Sequence, residues 1–323
     1  MQKECQMQQV KRIVVAVLLT LCLTAVALSQ TITASLEGNI TDPTGAVIVD
    51  ARVRIVNTAT NVAASLKTDG VGRFLAPSLP PGPYAVTIEA VGFKKAERSG
   101  ITLAVNQAAR LDIRLELGSS AETVEVTAEA PLVDATSAAM GQVVSARNIV
   151  DLPLNQRNPY SLVFLAPGVV GNVGNQYNNV NISINGGRPG TNAMMVDGVP
   201  SSTPLSNPIQ GFTIFPSVDA VQEFKVQSHN YSAEFGRSGG GIINLIYRSG
   251  TNTFHGSVFE FLRNSKLDSN GFFSNMRGVG LASFRRNQFG ASAGGPVRLP
   301  GIYDGRNKTF FFAAYEGLRQ SSA

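Results

Sequence analysis

Cysteine and histidine are nearly absent from this 323-residue sequence, which contains two of each. Both cysteines, Cys5 and Cys22, lie in the N-terminal segment that we interpret below as a secretion signal, so the exported chain has no thiol for disulfides or nucleophilic chemistry. A zinc centre needs several ligands at close spacing, whereas His229 and His255 stand apart and neither lies in an H-E-x-x-H motif. We therefore expect no metal, no cofactor and no enzymatic activity.

Charge is also scarce, since charged residues make up 15% of the sequence and apolar residues 43%. The net charge of +5 comes from basic residues that are spread among aromatics and glycines after residue 253, without a run that could follow a phosphate backbone. This distribution argues against a nucleic-acid partner. The 32 glycines and 16 prolines divide the chain into short segments, which is typical of turn-rich β proteins, and the length allows two or three domains.

The N-terminus has the layout of a secretion signal. Basic residues precede an apolar run from Ile13 to Leu28, and small residues then lead to a cleavage site expected before Gln30. A transmembrane anchor is the alternative, but the run is shorter than the ~20 residues that cross a bilayer as a helix. A lipoprotein signal at Cys22 is disfavoured because Leu21 stands where a small residue should precede the lipidated cysteine. We predict a signal peptide over residues 1–29.

Residues 31–117 alternate apolar and polar side chains in several short segments. Each segment has the period of two that is typical of a strand with one buried and one wet face. The segments are Ile32–Thr41, Arg52–Ile55, Tyr84–Ala90 and Arg110–Glu116, and turn clusters lie at Asp42–Gly45, Thr68–Gly70 and Leu79–Pro83. Several short strands in this span predict an antiparallel β-sandwich.

The same segment carries an ordered set of turn and strand motifs. They are Gly38–Gly45, Ala51–Val53, Thr68–Gly70, Gly72–Phe74, Pro81–Tyr84 and Val91–Phe93. In this order they resemble the carboxypeptidase regulatory-like domain. The resemblance implies a transthyretin-like sandwich of seven strands, often grouped with carbohydrate-binding-like folds, and it implies no peptidase activity. Phe74, Tyr84 and Phe93 lie in patterns that favour core packing over an exposed platform for a sugar.

Residues 118–131 have the composition of a linker with one extended segment. The β-branched residues favour a strand, while acidic residues and the flanking Gly118 and Pro131 disfavour its joining a packed sheet. The segment resembles the Ton box of TonB-dependent receptors, which implies strand addition to TonB, the periplasmic energy transducer. The residues implied to contact TonB are Glu122, Thr123, Val124, Glu125, Val126, Thr127 and Ala128. An ordinary interdomain linker is the alternative.

Residues 132–250 contain further motifs in a fixed order. They are Leu152–Leu162, Leu165–Val169, Ile182–Arg188, Met194–Pro200, Val218–Val226, Tyr231–Asn244 and Arg248–Asn252. In this order and spacing they resemble the plug domain of a TonB-dependent receptor of the Oar-like type, which is an α+β domain. The plug-motif residues that the resemblance singles out are Asn185, Gly186, Gly187, Arg188, Asp197, Gly198, Glu223, Glu234, Arg237, Gly239 and Gly240.

The residue types in these motifs suggest local structure. The Gly186–Gly187 and Asp197–Gly198 pairs suit tight turns, and the second pair predicts a hairpin between Val196 and Val199. Gly239–Gly241 permits a close backbone approach, which we expect where the last plug strand meets a barrel wall. Gly186–Gly190 is not a phosphate loop, because it lacks the Lys-Ser/Thr pair and the G-x-G-x-x-G order.

The charged side chains of the motifs leave two interpretations open. Arg188 and Arg237 either pair with Asp197, Glu223 or Glu234 and lock the domain internally, or remain solvated in a wet lumen.

Residues 251–323 contain candidate membrane strands. Phe254–Asn264, Asn287–Pro296 and Lys308–Gly317 have the ~10-residue length of barrel strands, and aromatics in the last could join an interfacial girdle. Phe289, Ala291 and Ala293 alternate with polar or small residues, as expected of a strand with an apolar face toward lipid. Receptors of this family close with ~22 strands, so we expect this chain to be a fragment with an incomplete transmembrane barrel.

The sequence therefore predicts a mainly β protein: a transthyretin-like sandwich, an α+β plug and the first strands of a barrel. The implied function is the N-terminal part of a TonB-dependent receptor for nutrient uptake at the cell outer membrane. Its expected partners are TonB, outer-membrane lipid and a nutrient such as a glycan or a peptide. An exported carbohydrate-binding module and an adhesin-like structural protein are the alternatives.

Overall fold

The computed structural model describes residues 33–119, 123–127, 140–154, 157–173, 180–201, 216–231, 235–236 and 238–322. The predicted signal peptide, residues 1–29, lies outside the described residues, as do Glu122, Ala128, Glu234 and Arg237. Among the described residues, no helix has both the length and the apolar character needed to cross a membrane.

The first part of the chain forms two sheets. Its strands are β1 (Ala34–Thr41), β2 (Arg52–Asn57), β3 (Ala63–Lys67), β4 (Arg73–Leu79), β5 (Gly82–Glu89), β6 (Lys95–Leu103), β7 (Ala108–Arg110) and β8 (Ile113–Arg114). One sheet has the order β4-β1-β7, with β8 also paired to β1, and the other begins β3-β2-β5-β6. We call this unit the sandwich.

Alternating burial produces the sandwich core. Every second residue of β1 is buried, so Leu36 and Ile40 face the other sheet while their neighbours face solvent. Phe74 and Tyr84 are 1% and 2% exposed, which confirms core packing for these two rings and leaves them unable to form a sugar platform. The segment has eight strands rather than the implied seven. Leu111 and Asp112 separate β7 from β8, although the Leu111 N–H still donates to the Glu37 carbonyl of β1.

A ninth strand, β9 (Thr123–Thr127), extends the second sheet to the order β3-β2-β5-β6-β9. It runs parallel to β6, with Lys95 opposite Thr123 and Ser99 opposite Thr127. The expectation that acidic and turn-forming residues keep this segment out of a packed sheet was wrong. The edge of β6 offers backbone N–H and C=O groups whose pairing does not depend on side-chain type, and the outermost position requires pairing along one edge only.

The middle of the chain forms a second unit, which we call the central domain. Its elements are β10 (Met140–Ser145), α1 (Ala146–Asp151), a 3-10 helix (Pro159–Leu165), β11 (Val169–Val173), β12 (Val180–Ile184), β13 (Ala193–Val196), β14 (Val199–Pro200), a 3-10 turn (Val218–Ala220), β15 (Val221–His229) and β16 (Ile242–Tyr247). The main sheet has the order β10-β15-β16-β13-β14, in which β13 is parallel to β16 and the other pairs are antiparallel. β11 and β12 form a separate hairpin.

The main sheet of the central domain has one apolar and one polar face. Phe224 and Val226 of β15 belong to a buried cluster with residues of β16, α1 and the first 3-10 helix. Because side chains alternate along a strand, Glu223 and Lys225 lie on the opposite face. Lys225 is only 6% exposed, so this polar face is also covered.

The last part of the chain forms a third sheet. Its elements are β17 (His255–Asn264), a 3-10 turn (Ser265–Leu267), α2 (Phe272–Met276), β18 (Phe284–Pro296), β19 (Arg298–Leu299), β20 (Tyr303–Asp304) and β21 (Phe310–Ser322). The long strands pair in the antiparallel order β17-β18-β21, and β19 and β20 form a small hairpin. All three predicted barrel strands are present, and β18 and β21 are longer than the sequence indicated.

The alternation expected in β18 is present. Arg286 and Gln288 are buried, whereas Ala291 and Ala293 are exposed. Ala291 lies between Val258 of β17 and Tyr315 of β21, which are 86% and 66% exposed. The middle of this face is therefore apolar and uncovered, which is the pattern of strands that face lipid, and Glu260 is an exposed charge on the same face.

Candidate functional site

Strand β15 of the central domain touches the sandwich near its first residues. The backbone N–H of Val105, in the turn that follows β6, donates to Glu223 Oε1 at 2.6 Å. The ammonium group of Lys225 donates to the carbonyl of Asn106 in the same turn at 2.9 Å. Val105 is fully buried, so the turn seats against the polar face of the central sheet. We call this four-residue contact the sandwich latch.

The electrostatics of the sandwich latch follow from burial. Desolvation raises the pKa of Glu223, while the Val105 N–H and the nearby Lys225 charge act in the opposite direction. Beside the latch, both side-chain atoms of Asn244 and the Oε1 atom of Gln227 are buried and have no hydrogen-bond partner among the described residues. Asn244 lies directly opposite Lys225 across the β15–β16 pair. The interface is thus polar, unlike an apolar domain core.

A second contact joins the sandwich to the last part of the chain. The backbone N–H of Asn252 donates to the carbonyl of Ala59 at 3.0 Å. The side chains of Asn61 and Asn252 both donate to Asn307 Oδ1, at 3.0 and 2.7 Å. These exposed amide groups orient the sandwich loop relative to the start of the third sheet.

The central domain is joined to the third sheet by a charged pair. The Arg157 guanidinium pairs with the Asp219 carboxylate, and both side chains are largely buried, at 15% and 13% exposure. Asp219 also accepts from Ser257 Oγ at 2.9 Å. The Arg157 guanidinium carbon lies 4.0 Å from the ring centre of Phe259 and 4.7 Å from that of Phe261, within cation–π range.

The other end of β15 borders a polar pocket. The pocket has a volume of about 410 Å³ and is lined by Ile184, Asn185, Gly187, Ser228, His229, Asn230, Tyr231, Gly239 and Gly240. Asn185 Nδ2 and His229 Nδ1 are hydrogen bonded at 2.8 Å. None of these lining residues carries a carboxylate or a permanent cation. At a rise of ~3.3 Å per residue, His229 lies roughly 20 Å along β15 from Glu223, so the pocket and the sandwich latch occupy opposite ends of one strand.

The plug-motif residues fall into several local structures. Asn185 and Gly186 form the tight turn after β12, with φ of 50° and 77°. Asp197 and Gly198, with φ of 46° and 77°, form the predicted two-residue hairpin, in which Val196 pairs with Val199. Positive φ at both central positions is the requirement of a type I′ turn, which explains this residue pair.

Two of the motif carboxylates, Asp197 and Glu223, accept hydrogen bonds from backbone N–H groups. Asp197 accepts from the backbone N–H of Tyr247 at 3.0 Å, and burial raises its pKa. Glu223 belongs to the sandwich latch, and Arg188 is exposed and has no ion pair within the described residues. Glu234 and Arg237, the other charged residues of these motifs, lie outside the described residues.

We had expected the glycines after residue 238 to make a close backbone approach at a barrel wall. They make it within the central domain instead. A Cβ atom on Gly240 would lie 2.2 Å from Asn192 Oδ1. Asn192 is 3% exposed, and the same oxygen accepts from the backbone N–H of Gly241 at 3.1 Å. Gly239 has only ordinary contact space, with Thr191 nearby.

Sequence reasoning missed Val105, Asn106, Arg157 and Asp219. Arg157 and Asp219 lay within the quoted motifs, but nothing in the local pattern indicated that they pair. Asn106 has a φ of 50°, which marks a turn, and the sequence Val-Asn-Gln between two strands is the only local signal.

Two family models match parts of the chain. Residues 35–116 match the carboxypeptidase regulatory-like domain, and residues 246–323 match an outer membrane beta barrel domain. The chain is 32% identical over 292 residues to the TonB-dependent transporter Oar of Myxococcus xanthus. The match covers 83% of this chain and 26% of that protein, so the chain spans about a quarter of the relative's length.

Solved structures give weaker likenesses. The siderophore receptor PirA from Acinetobacter baumannii is 22% identical with a TM-score of 0.37, over 56% of this chain and 24% of that one. A ferric enterobactin receptor mutant from Pseudomonas aeruginosa, crystallised with enterobactin, is 17% identical with a TM-score of 0.35, over 50% and 23% of the two chains. TM-scores below 0.5 are too low to establish a shared overall fold.

The sequence match and the two family models agree with the mainly β architecture and with the uncovered apolar face of the third sheet. The chain is an outer-membrane protein similar to the TonB-dependent transporter Oar, with a carboxypeptidase regulatory-like domain over residues 35–116 and outer-membrane β-barrel sequence over residues 246–323.

Proposed function

We propose that the chain is the N-terminal part of a TonB-dependent transporter that takes up a nutrient across the outer membrane. In this proposal the central domain is the plug, and residues 122–128 are the TonB contact. The observation that carries it is the arrangement of β15, which has the sandwich latch at one end and the polar pocket at the other. In this proposal β15, which is continuous between the two sites, connects the nutrient site to the domain that carries the TonB contact.

The TonB contact would work by strand addition. An extended segment supplies a row of backbone donors and acceptors to the edge of a partner sheet, so affinity depends on the ladder more than on side chains. β9 is already extended, as its pairing with β6 shows. Proline removes one ladder donor and fixes φ, and it therefore tests this mechanism directly.

The experiment compares two matched substitutions in the same region of the chain. Val124→Pro lies inside the proposed contact, and Val133→Pro places the same residue change outside it. We expect Val124→Pro to weaken binding of the periplasmic domain of TonB by more than about tenfold in Kd and Val133→Pro to leave it unchanged. Equal binding by both variants would show that TonB is met elsewhere.

The polar pocket suggests the chemistry of the nutrient. Amide, hydroxyl and imidazole groups line it, and among the described residues none of the lining side chains is a carboxylate, lysine or arginine. Such a set favours an uncharged ligand rich in hydroxyl or amide groups, such as a neutral glycan or peptide, over an anion or a cation.

This assignment is tested with defined probes. Neutral oligosaccharides and neutral tripeptides would be screened against the chain and against Asn185→Ala, which removes the amide beside His229. We expect binding of one neutral class that weakens in the variant. Preferential binding of charged iron chelates, unaffected by Asn185→Ala, would contradict the proposed nutrient class.

The carbohydrate-binding alternative for the sandwich receives no support. The two aromatic side chains that could have formed a platform, Phe74 and Tyr84, are buried in its core. Phe93 packs against the same core.

A further inference from the structure

We propose that the sandwich presents the TonB contact as a ready-made sheet edge, and that the partner adds a basic strand to the outer edge of β9 while β9 stays paired with β6. This inference rests on the proposed function, since it takes residues 122–128 to be the TonB contact. It differs in assigning the sandwich a direct part in the docking surface.

The sheet order supports the inference. β9 is the last strand of β3-β2-β5-β6-β9 and is paired with β6 along five consecutive residues. Within the part of the chain that the structure describes, no strand pairs with its other edge. That edge is a row of backbone groups available for strand addition.

Preformation changes what docking requires. A free linker would lose conformational entropy when a partner extended it, whereas β9 is already held extended by β6. Binding to an ordered edge therefore retains more of the interaction free energy than binding to a disordered segment. The partner would extend the sandwich sheet by one more strand.

Charge identifies the partner strand more closely. Between Arg114 and Arg147 the sequence contains no lysine or arginine. Glu125 is the charged residue of β9, Glu122 and Glu129 flank the strand in the sequence, and Glu116 is already paired with Lys94. A strand that docks along this segment gains from lysine or arginine and is repelled if it is acidic. The interaction should weaken with added salt, because exposed charges are screened.

The sheet that carries the edge of β9 is also hydrogen bonded to the central domain. β6 leads through Leu103 directly into the turn whose Val105 and Asn106 hold Glu223 and Lys225. A strand bound to β9 is therefore connected to the central domain through folded structure as well as through the covalent linker.

Disulfide locking tests the inference in the full chain with Cys5 and Cys22 replaced by serine. Glu97 and Glu125 are register partners, so Glu97→Cys with Glu125→Cys should cross-link β9 to β6. Lys95→Cys with Thr123→Cys is the neighbouring partner pair and serves as a second version. Ser65→Cys with Glu125→Cys is the matched control, because Ser65 lies on β3 at the opposite edge of the same sheet.

The readouts are cross-linking yield on a non-reducing gel and the Kd of the TonB periplasmic domain for oxidised and reduced protein. We expect both partner pairs to cross-link, the control pair to remain reduced, and the oxidised form to bind at least as tightly as the reduced form. Raising the salt from about 50 to about 500 mM should weaken binding by about fivefold or more.

Two results would overturn the inference in distinguishable ways. Binding by the reduced form with a loss of more than about tenfold on oxidation would show that β9 must leave β6 to meet its partner. A failure of both partner pairs to cross-link would show that β9 is not held on β6 in the free protein, which removes the ready-made edge. Absence of binding by both forms would instead refute the TonB contact itself, and this inference with it.

Discussion

Removing the Glu223 carboxylate should loosen the sandwich latch by an amount that the structure allows us to work out. Val105 is fully buried, and its N–H has the Glu223 Oε1 atom as acceptor at 2.6 Å. Glu223→Ala leaves that buried donor without a partner, which costs about 1–3 kcal/mol. At about 1.4 kcal/mol per tenfold, the opening equilibrium of the turn should rise by roughly 5- to 150-fold.

Amide hydrogen exchange measures this opening directly. The Val105 amide should exchange faster in Glu223→Ala by the same factor, while amides of β2 in the middle of the sandwich keep their protection. Glu223→Gln is the matched control, because its amide oxygen can still accept from Val105. Exchange of Val105 that stays within about twofold of the parent rate in Glu223→Ala would refute the reasoning.

Three other outcomes follow from the structure. Phe74→Ala should destabilise the sandwich by about 3–5 kcal/mol in a thermal melt, whereas the adjacent Leu75→Ala, at a site that is 48% exposed, should cost well under half of that. Gly240→Ala should lower the melting temperature because its Cβ would meet a buried amide oxygen at 2.2 Å, and Gly236→Ala, with nothing within 4 Å, should not. Burial raises the pKa of Glu223 above its ordinary value of 4.5, so the folded state favours the protonated carboxyl. The resulting stabilisation is complete below pH 4.5 and is lost as the pH rises through the folded-state pKa. Melts at pH 4 and pH 7 should therefore show Glu223→Gln gaining stability relative to the parent at the higher pH, and an unchanged difference would contradict the sign.

Local patterns accounted for most of the sandwich and the third sheet. The alternation in Ile32–Thr41 predicted β1, because burial of every second side chain is a property of the strand itself. The Asp197–Gly198 pair predicted its hairpin because few other residue pairs accept positive φ at both positions. Such features are encoded within a few residues and can be recognised without the rest of the chain.

Contacts between units could not be predicted in this way. Val105 and Glu223 are 118 residues apart, and the local sequence around either residue does not indicate the other as its partner. The pairing of Arg157 with Asp219 was missed for the same reason, although both residues lay in recognised motifs. The docking of β9 on β6 was mispredicted because side-chain composition was taken to decide it, whereas the backbone groups of an open edge are sufficient.

The strand order of the central sheet has a consequence for the sequence of events after export. β10 has no partner in the main sheet until β15 has arrived, and β13 has only the two-residue strand β14 until β16 has arrived. β1 to β8, by contrast, pair among themselves before residue 115, and only β6 gains a later partner, β9. The sandwich can therefore fold while later residues are still being translocated, whereas the central domain must stay open until the β15–β16 hairpin emerges. During that interval the central segment, and not the sandwich, would expose its apolar side chains and unpaired strand edges.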